Sequence, residues 1–455
     1  MKRTTLGLVF ASLLLALIGG VRVRTQERVV ALRAAWVIDA TGRAPIADGV
    51  VLVKGNRIDA VGTRTAVTIP AGAEVVDLPG QTLLPGLIDT HSHLSNWSMY
   101  PSPFGGMGQR RAPATEQMVK MVRDARVQLL CGITTLRQCG EQGLSDLVLK
   151  RAIEVGVHPG PRIISAGEHI GPELDSADAI RKKVGEYYRA GAEWIKMTHG
   201  DLTPTTAQIA PALMKAGVDE AHRYGLKVTV HAVGRWGSAV RTAVEAGADN
   251  IEHVRPMTEE IVQLMLKHGT TASLTPIAYV GGWYPPPEAY EMMDLGVKNA
   301  PEWMDYLDHQ ISGYLRAHPE AVTMDLPFES PASDLEPWRA ARDMYQALKT
   351  VQQQIRRAHE LGLPFSLGLD SRYGGQAWQL QFLVDGGIAP MDALRSATSV
   401  AATLIGYGDR LGTIEKGKLA DLISVQGNPI QDIRVMRQVR LVMKDGVRYD
   451  TLSWR

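Results

Sequence analysis

The feature that most constrains this 455-residue chain is a regular alternation of short apolar runs with amphipathic segments. The apolar runs are typical of buried strands, and the amphipathic segments are typical of helices. Short connections between alternating strands and helices favour a parallel sheet, and eight such units can close into a (β/α)₈ barrel. The strand candidates are LLPGLIDTHSH, ITTLRQCG, PRIISAGEH, AEWIKMTHGD, KVTVHAVG, DNIEHV, TTASLTP and PFSLGLDS.

The predicted fold class is α/β, with a TIM-like (β/α)₈ barrel over residues 83–411. An open doubly wound sheet is the alternative, but no Gly-rich phosphate turn follows the first strand. Residues 28–82 and 412–450 show only short β-like runs and turns, so we expect a small β-sandwich domain built from both ends of the chain.

One connection of the barrel is far longer than an ordinary βα unit of roughly 30 residues. It lies at about residues 277–347, between TTASLTP and PFSLGLD, and it carries Trp283, Trp303 and Trp338. Long ordered loops at a barrel mouth are commonly lids or binding walls. A helical ornament or a contact between subunits of a homo-oligomer is the alternative.

Composition and charge favour an enzyme that acts on a small molecule. The formal net charge is +1 and the charges are mixed, so we expect no nucleic-acid partner. Cys131 and Cys139 lie at opposite ends of one predicted strand, beyond the reach of a disulfide, and are expected to be free thiols.

The N-terminus has the layout of a secretory signal. Lys2 and Arg3 precede the apolar stretch LGLVFASLLLALIGG, which is short for a membrane-spanning helix. We therefore assign residues 1–20 to a signal peptide and expect a secreted or periplasmic protein. Because the cleavage site is poor, an uncleaved membrane anchor that tethers the protein is the alternative.

A pair of histidines stands where the first predicted strand ends. His91 and His93 are two residues apart, so strand alternation points both side chains the same way. Two neighbouring imidazoles can bind one metal ion, although polar residues that simply begin a loop would give the same pattern.

Further polar side chains follow other predicted strands, at the end where barrels place their chemistry. They are Lys196 in WIKM, His231 in VTVHA, His253 in NIEH and Asp370 in LGLD. Each could be structural alone, but their joint position at one end of the barrel predicts a metal site formed with His91 and His93.

Lys196 needs a separate explanation, because divalent metals repel an ammonium group. Addition of CO₂ to the amine would give an anionic carbamate that can bridge two ions, and burial favours the reactive neutral amine. The alternative is a barrel lysine that forms an ion pair with Asp370.

Several motifs make the chain resemble the amidohydrolase superfamily, in its imidazolonepropionase-like branch that includes Xaa-Pro dipeptidases. They are IDATGRAPIADGVVLVKGNRIDAVG, LLPGLIDTHSH, CGITTLR and GTIEKGKLADLI, and they span nearly the whole chain after the N-terminal segment. The resemblance implies that His91, His93 and Asp370 hold one metal ion, that His231 and His253 hold a second, and that carboxylated Lys196 bridges both. Zinc is the expected metal for such ligands.

The resemblance also implies a hydrolase that activates water between two metal ions, with Asp370 accepting the proton of the attacking water. The expected substrates are small molecules with an amide bond, namely N-acyl amino acids or dipeptide-like amides. A cyclic amide or lactone hydrolase at the same site is the second hypothesis. A non-catalytic binding protein on this fold is a hypothesis of another class.

Residues around the predicted ligands are candidates for substrate contact. His199, three residues after Lys196, is a candidate proton donor or oxyanion contact. His169 partly replaces a histidine of the TGGHGD stretch that many relatives carry, because this chain has SAGEHIGPELDSAD there. The remaining candidates, of which the arginines could pair with a substrate carboxylate, are Arg235, Arg255, Tyr279 and Arg372.

Overall fold

The structure is a computed structural model that describes residues 28–94, 114–201, 208–234, 237–276, 337–370 and 375–449. The N-terminal segment 1–20 and most of the predicted insertion, residues 277–336, lie outside the described residues.

One sheet combines strands from both ends of the chain. Its central contact pairs β4 antiparallel with β14, so that Leu83 lies opposite Ser424. The order across the sheet is β16-β15-β14-β4-β1-β2-β3. The seven strands are β1 (Val29–Val37), β2 (Ile46–Lys54), β3 (Arg57–Thr63), β4 (Glu74–Pro85), β14 (Leu422–Gln426), β15 (Val439–Lys444) and β16 (Val447–Tyr449).

The middle of the chain forms two parallel sheets, in the orders β5-β6-β7 and β13-β12-β11-β10-β9-β8. This confirms the α/β class with parallel strands. The strands are β5 (Leu87–Ser92), β6 (Ile133–Gln138), β7 (Arg162–Ser165), β8 (His169–Ile170), β9 (Trp194–Asp201), β10 (Lys227–Gly234), β11 (Asn250–Arg255), β12 (Thr271–Leu274) and β13 (Phe365–Leu367).

Backbone hydrogen bonds link the two parallel sheets at both edges. On one side, the amides of Glu193 and Lys196 donate to the carbonyls of Ser165 and Ala166. On the other side, the amide of Asp370 donates to the carbonyl of His91 at 2.8 Å. The chain segments that carry His91 and Asp370 are therefore held directly against each other.

Helices separate the parallel strands, as the alternation predicts, except that β8 follows β7 directly within the predicted strand PRIISAGEH. Capping residues explain several ends: the Ser176 side chain accepts a hydrogen bond from Ala179 N at one helix start, and Gly191 ends that helix with a φ of 101°. The helix that precedes the last parallel strand is the longest of those described and begins at Pro337. The helices are α1 (Ala114–Leu130), α2 (Ser145–Glu154), α3 (Ala177–Ala190), α4 (Pro211–Arg223), α5 (Ser238–Glu245), α6 (Glu259–His268), α7 (Pro337–Glu360), α8 (Gln376–Asp385), α9 (Pro390–Ser396) and α10 (Ser399–Leu404), with 3₁₀ turns at Gln142–Leu144 and Ile433–Arg437.

The parallel strands are buried on both faces, which is what helices packed over a parallel sheet require. Every residue of β5 and β6 is buried, polar ones included. Cys131 and Cys139 are both free, as expected. Among the described residues, no helix is long and apolar enough to cross a membrane.

Asp146, in the first turn of α2, is a buried carboxyl whose ionisation opposes folding. Neither of its carboxylate oxygens has a hydrogen-bond partner within the described residues, and burial raises its pKa from 3.8 to about 6. A carboxyl with a raised pKa in the folded state lowers stability as pH rises from 3.8 through 6, and the cost is complete above that range. We expect Asp146→Asn to raise the free energy of unfolding by ~3 kcal/mol near pH 8 and hardly at all below the unfolded pKa.

Urea unfolding of both proteins at the two pH values measures this difference. Asp178→Asn is the matched control, because Asp178 also lies in the first turn of a helix but is 97% exposed. An equal stability gain at both pH values would show that the charge of Asp146 is not its cause.

Candidate metal centre

Three of the predicted ligands lie together at the ends of β5 and β13. The Nε2 atoms of His91 and His93 are 3.1 Å apart, which confirms that the two side chains point the same way. Asp370 Oδ1 lies 3.3 Å from His91 Nε2 and 3.6 Å from His93 Nε2. We call these three residues the triangle.

The spacing of the triangle fits a metal ion. A tetrahedral zinc ion with bonds of about 2.0–2.1 Å holds neighbouring ligand atoms roughly 3.3–3.4 Å apart. The three distances between ligand atoms of the triangle, 3.1, 3.3 and 3.6 Å, lie on either side of that value. Two imidazole nitrogens and one carboxylate oxygen are also a donor set that zinc accepts.

A second group of possible ligand atoms adjoins the triangle. It consists of His91, Glu252 and His253, whose ligand atoms lie within 4.8 Å of one another. His253 Nδ1 lies 2.6 Å from the Thr275 hydroxyl, which leaves Nε2 as the ring nitrogen available to a metal. His231 joins through ring contact, with its centroid 4.6 Å from that of His253.

The histidines of the site are held neutral, which is the form that binds a metal. Burial lowers the pKa of His91 to about 4, and the nearby Lys196 charge acts in the same direction. Burial likewise lowers the pKa of His231 to about 3. The pKa values of His93 and His253 also fall well below 6.5, with burial as the main cause.

Two of the predicted ligands have an unusual backbone. His253 has a φ of 67° and Asp370 a φ of 58°, both in the left-handed region that non-glycine residues seldom adopt. Such a conformation costs of order 1–3 kcal/mol and is found mostly where a site requires it. In β11 the positive φ of His253 interrupts the alternation of side chains along the strand, so that the adjacent Glu252 and His253 both lie at the site.

Lys196 is completely buried on β9, and burial lowers its pKa to about 8. Its Nζ forms an ion pair with Glu252 Oε2. The alternative interpretation from sequence paired Lys196 with Asp370, and the structure corrects the partner. Lys196 and Glu252 meet because β9 and β11, which carry them, lie on either side of β10 in one parallel sheet.

Other predicted residues lie at varying distances from the triangle. His169 stacks on His93, with ring centroids 5.7 Å apart, and its Nδ1 lies 2.8 Å from the Thr198 hydroxyl. His199 is buried on β9, but it is in neither ligand group, and alternation turns it away from the face of Lys196. Arg255 ends β11. Three predicted substrate contacts lie outside the described residues: Arg235, Tyr279 and Arg372.

The sequence analysis missed two buried charged residues beneath the site. Glu252 is completely buried, and Arg137 is 1% exposed. Arg137 donates to the Thr90 carbonyl, to Asn250 Oδ1 and to the Ser273 hydroxyl. A signal was available, because Arg137 and Glu252 lie within predicted strands of a buried parallel sheet, where a charged residue is rare unless it has a partner.

Comparison with known proteins gives the family. The family model of the amidohydrolase family matches residues 82–448. Ochratoxinase from Aspergillus niger is 26% identical over 405 residues, 79% of this chain and 73% of that protein. Imidazolonepropionase from Streptomyces coelicolor is 28% identical over 274 residues, 55% of this chain and 68% of that protein.

A solved structure of a Xaa-Pro dipeptidase with methionine bound in its active site is similar over 93% of this chain and all of that one. The TM-score is 0.72 and the identity 26%. The chain therefore belongs to the amidohydrolase family, and the resemblance to the branch with imidazolonepropionases and Xaa-Pro dipeptidases is confirmed.

Proposed function

We propose that this protein is a binuclear, metal-dependent hydrolase that cleaves an amide bond of a small molecule. The observation that carries the proposal is the triangle, in which three ligand atoms of the right chemistry lie at the spacing that a zinc ion requires. Membership of the amidohydrolase family supports amide hydrolysis as the reaction. A non-catalytic binding protein is the alternative, but it does not explain why the predicted ligands include neutral histidines and residues with a positive φ.

His91, His93 and Asp370 would hold one ion, and His231 and His253 a second. Lys196, carboxylated by CO₂, would lie between them. Two bound cations supply a water that is acidic enough to be deprotonated near neutral pH, and they polarise the substrate carbonyl. Zinc is our expectation for both ions, since imidazole and carboxylate ligands suit it.

Asp370 has the position of a proton carrier. One of its oxygens faces both histidines of the triangle, and its side chain keeps 26% exposure, so it meets the substrate side of the site. Burial raises the pKa of Asp370, but the contact with His91 outweighs burial, and the pKa lies well below 3.8. Asp370 is thus an ionised base that takes the proton of the attacking water and delivers it to the leaving nitrogen.

For the substrate we propose N-acyl amino acids or dipeptide-like amides, supported by the likeness to a Xaa-Pro dipeptidase and to ochratoxinase. His169, stacked on His93, borders the triangle and is the best placed of the proposed substrate contacts. His199 and Arg255 stay predictions, as do Arg235, Tyr279 and Arg372.

The architecture that we propose around this site is a closed (β/α)₈ barrel over residues 83–411, with a β-sandwich domain of residues 28–82 and 412–450. Hydrogen bonds at both edges between the two parallel sheets support closure, and the sheet shared by β4 and β14 supports a domain from both ends. The location we propose is outside the cytoplasm, secreted or periplasmic, with a tether if residues 1–20 are retained.

The test is amide hydrolysis with and without a chelator. We expect the protein to cleave members of a panel of N-acyl amino acids and dipeptides, to lose at least 100-fold in kcat/KM after dipicolinate treatment, and to recover when zinc is added back. Cyclic amides and lactones belong in the same panel and test the second hypothesis. Turnover that survives complete metal removal would overturn the proposal.

A further inference from the structure

Glu252 contacts two predicted ligands from beneath the site. Its Oε2 lies 3.3 Å from His91 Nδ1 and forms an ion pair with Lys196 Nζ. In the described part of the chain, these three buried atoms have no hydrogen-bond partner outside their own group. His91 Nδ1 and Lys196 Nζ thus depend on one carboxylate oxygen.

The surroundings fix the orientation of this carboxylate. The Thr229 hydroxyl lies 2.9 Å from Glu252 Oε1 and 3.0 Å from Asn250 Oδ1. Because Arg137 already donates to Asn250 Oδ1, the single hydroxyl proton can go to Glu252 Oε1, and Oε2 is left to face His91 and Lys196. Arg137 Nη2 lies 3.9 Å from Oε1 and compensates part of the charge. A buried carboxylate destabilises the folded protein unless such partners compensate its charge. The position of Glu252 between two predicted ligands therefore indicates that it has a role in the site.

The geometry also determines the tautomer that His91 needs. Its Nε2 belongs to the triangle, so Nε2 must carry no proton when a metal binds there. The proton must then sit on Nδ1, and the only carboxylate oxygen in contact with Nδ1 among the described residues is Glu252 Oε2. His253 shows the neutral version of the same arrangement, with Nδ1 against the Thr275 hydroxyl.

We propose that Glu252 is a positioning residue of the metal centre: it accepts a hydrogen bond from Nδ1 of His91, holds the imidazole in the metal-binding tautomer, and fixes the position of Lys196 Nζ, the atom that would carry the carbamate. The inference rests on the proposed function, because it assigns a task within the same site. Glu252 itself is not a ligand in this account, since its Oε1 is bound by Thr229 and its Oε2 faces Nδ1 rather than Nε2 of His91.

The experiment compares the zinc affinity of the wild-type protein, Glu252→Gln and Glu260→Gln by competition with a chromophoric chelator. We expect Glu252→Gln to bind zinc about 10- to 100-fold more weakly, as loss of a partner behind a ligating histidine generally costs. Glu260, 77% exposed on α6, provides the matched control, whose affinity should equal that of the wild type.

A spectroscopic measurement separates positioning from general damage to the fold. In the metal-free protein, both ring nitrogens of His91 lie 3.3 Å from a carboxylate oxygen, Nδ1 from Glu252 and Nε2 from Asp370. ¹⁵N spectra of the histidine rings should therefore show a smaller share of the Nδ1-protonated tautomer of His91 in Glu252→Gln than in the wild type. Thr229→Val, which frees Glu252 without touching His91, should give an intermediate loss of zinc affinity.

The outcomes distinguish the two proposals. A wild-type protein that binds no zinc would contradict the proposed function. A wild-type protein that binds zinc, together with a Glu252→Gln protein of equal affinity and unchanged His91 tautomer, would overturn the positioning role alone.

Discussion

Asp370→Asn should lower kcat by about 10²–10⁴-fold, the usual range for loss of a general base. Asn keeps the shape of the side chain but cannot accept the proton of the attacking water, and its amide oxygen is a weaker metal ligand. The loss corresponds to roughly 3–5 kcal/mol of transition-state stabilisation. Steady-state kinetics on the best substrate of the amide panel measures it.

The metal content of the same preparation separates the two roles of Asp370. Metal content near that of the wild type, with kcat reduced, assigns the loss to proton transfer. Asp385→Asn is the matched control, because Asp385 ends α8 and is exposed. A kcat for Asp370→Asn within threefold of the wild type would remove Asp370 from the mechanism.

Lys196→Ala should reduce the bound metal from about two ions per chain to about one and lower amide hydrolysis at least 1,000-fold, since both metal positions share this residue in the proposed site. In the reaction with CO₂, the Nζ lone pair forms the N–C bond and the nitrogen releases a proton. The side chain thereby changes from a neutral amine into an anionic carbamate. Burial, which lowers the pKa of Lys196 to about 8, increases the fraction of reactive neutral amine.

Elemental analysis of protein prepared with bicarbonate measures this effect. Lys215→Ala is the control, because Lys215 is 60% exposed on α4 and pairs with Asp219 at the surface. A Lys196→Ala protein that keeps both ions would show that no carbamate bridges them. The site would then be held by the histidines and carboxylates alone.

The order of strands and helices could be predicted from sequence because burial on both faces leaves a simple apolar pattern. Helix ends can be predicted for a different reason: the residue after the last turn often has a positive φ, which glycine tolerates best, as at Gly269 and Gly362. The start of α7 at Pro337 could not be predicted, because the sequence of an amphipathic helix that packs on one side resembles the sequence of a polar connection.

The predicted ligands could be found because strand ends and strand alternation are sequence properties. Alternation correctly placed His91 and His93 side by side. It could not predict that His253 turns into the left-handed region, which depends on tertiary packing rather than on local preference. Nor could it identify Glu252 as the partner of Lys196, because that pairing joins β9 and β11 across the strand between them.

The measurement that tests the central claim most directly is the number of metal ions per wild-type chain, determined by elemental analysis after purification without chelators. The proposed site predicts about two zinc ions per chain, held by the triangle and by the adjoining histidines. A chain that binds no divalent metal, even after incubation with zinc and bicarbonate, would contradict the account.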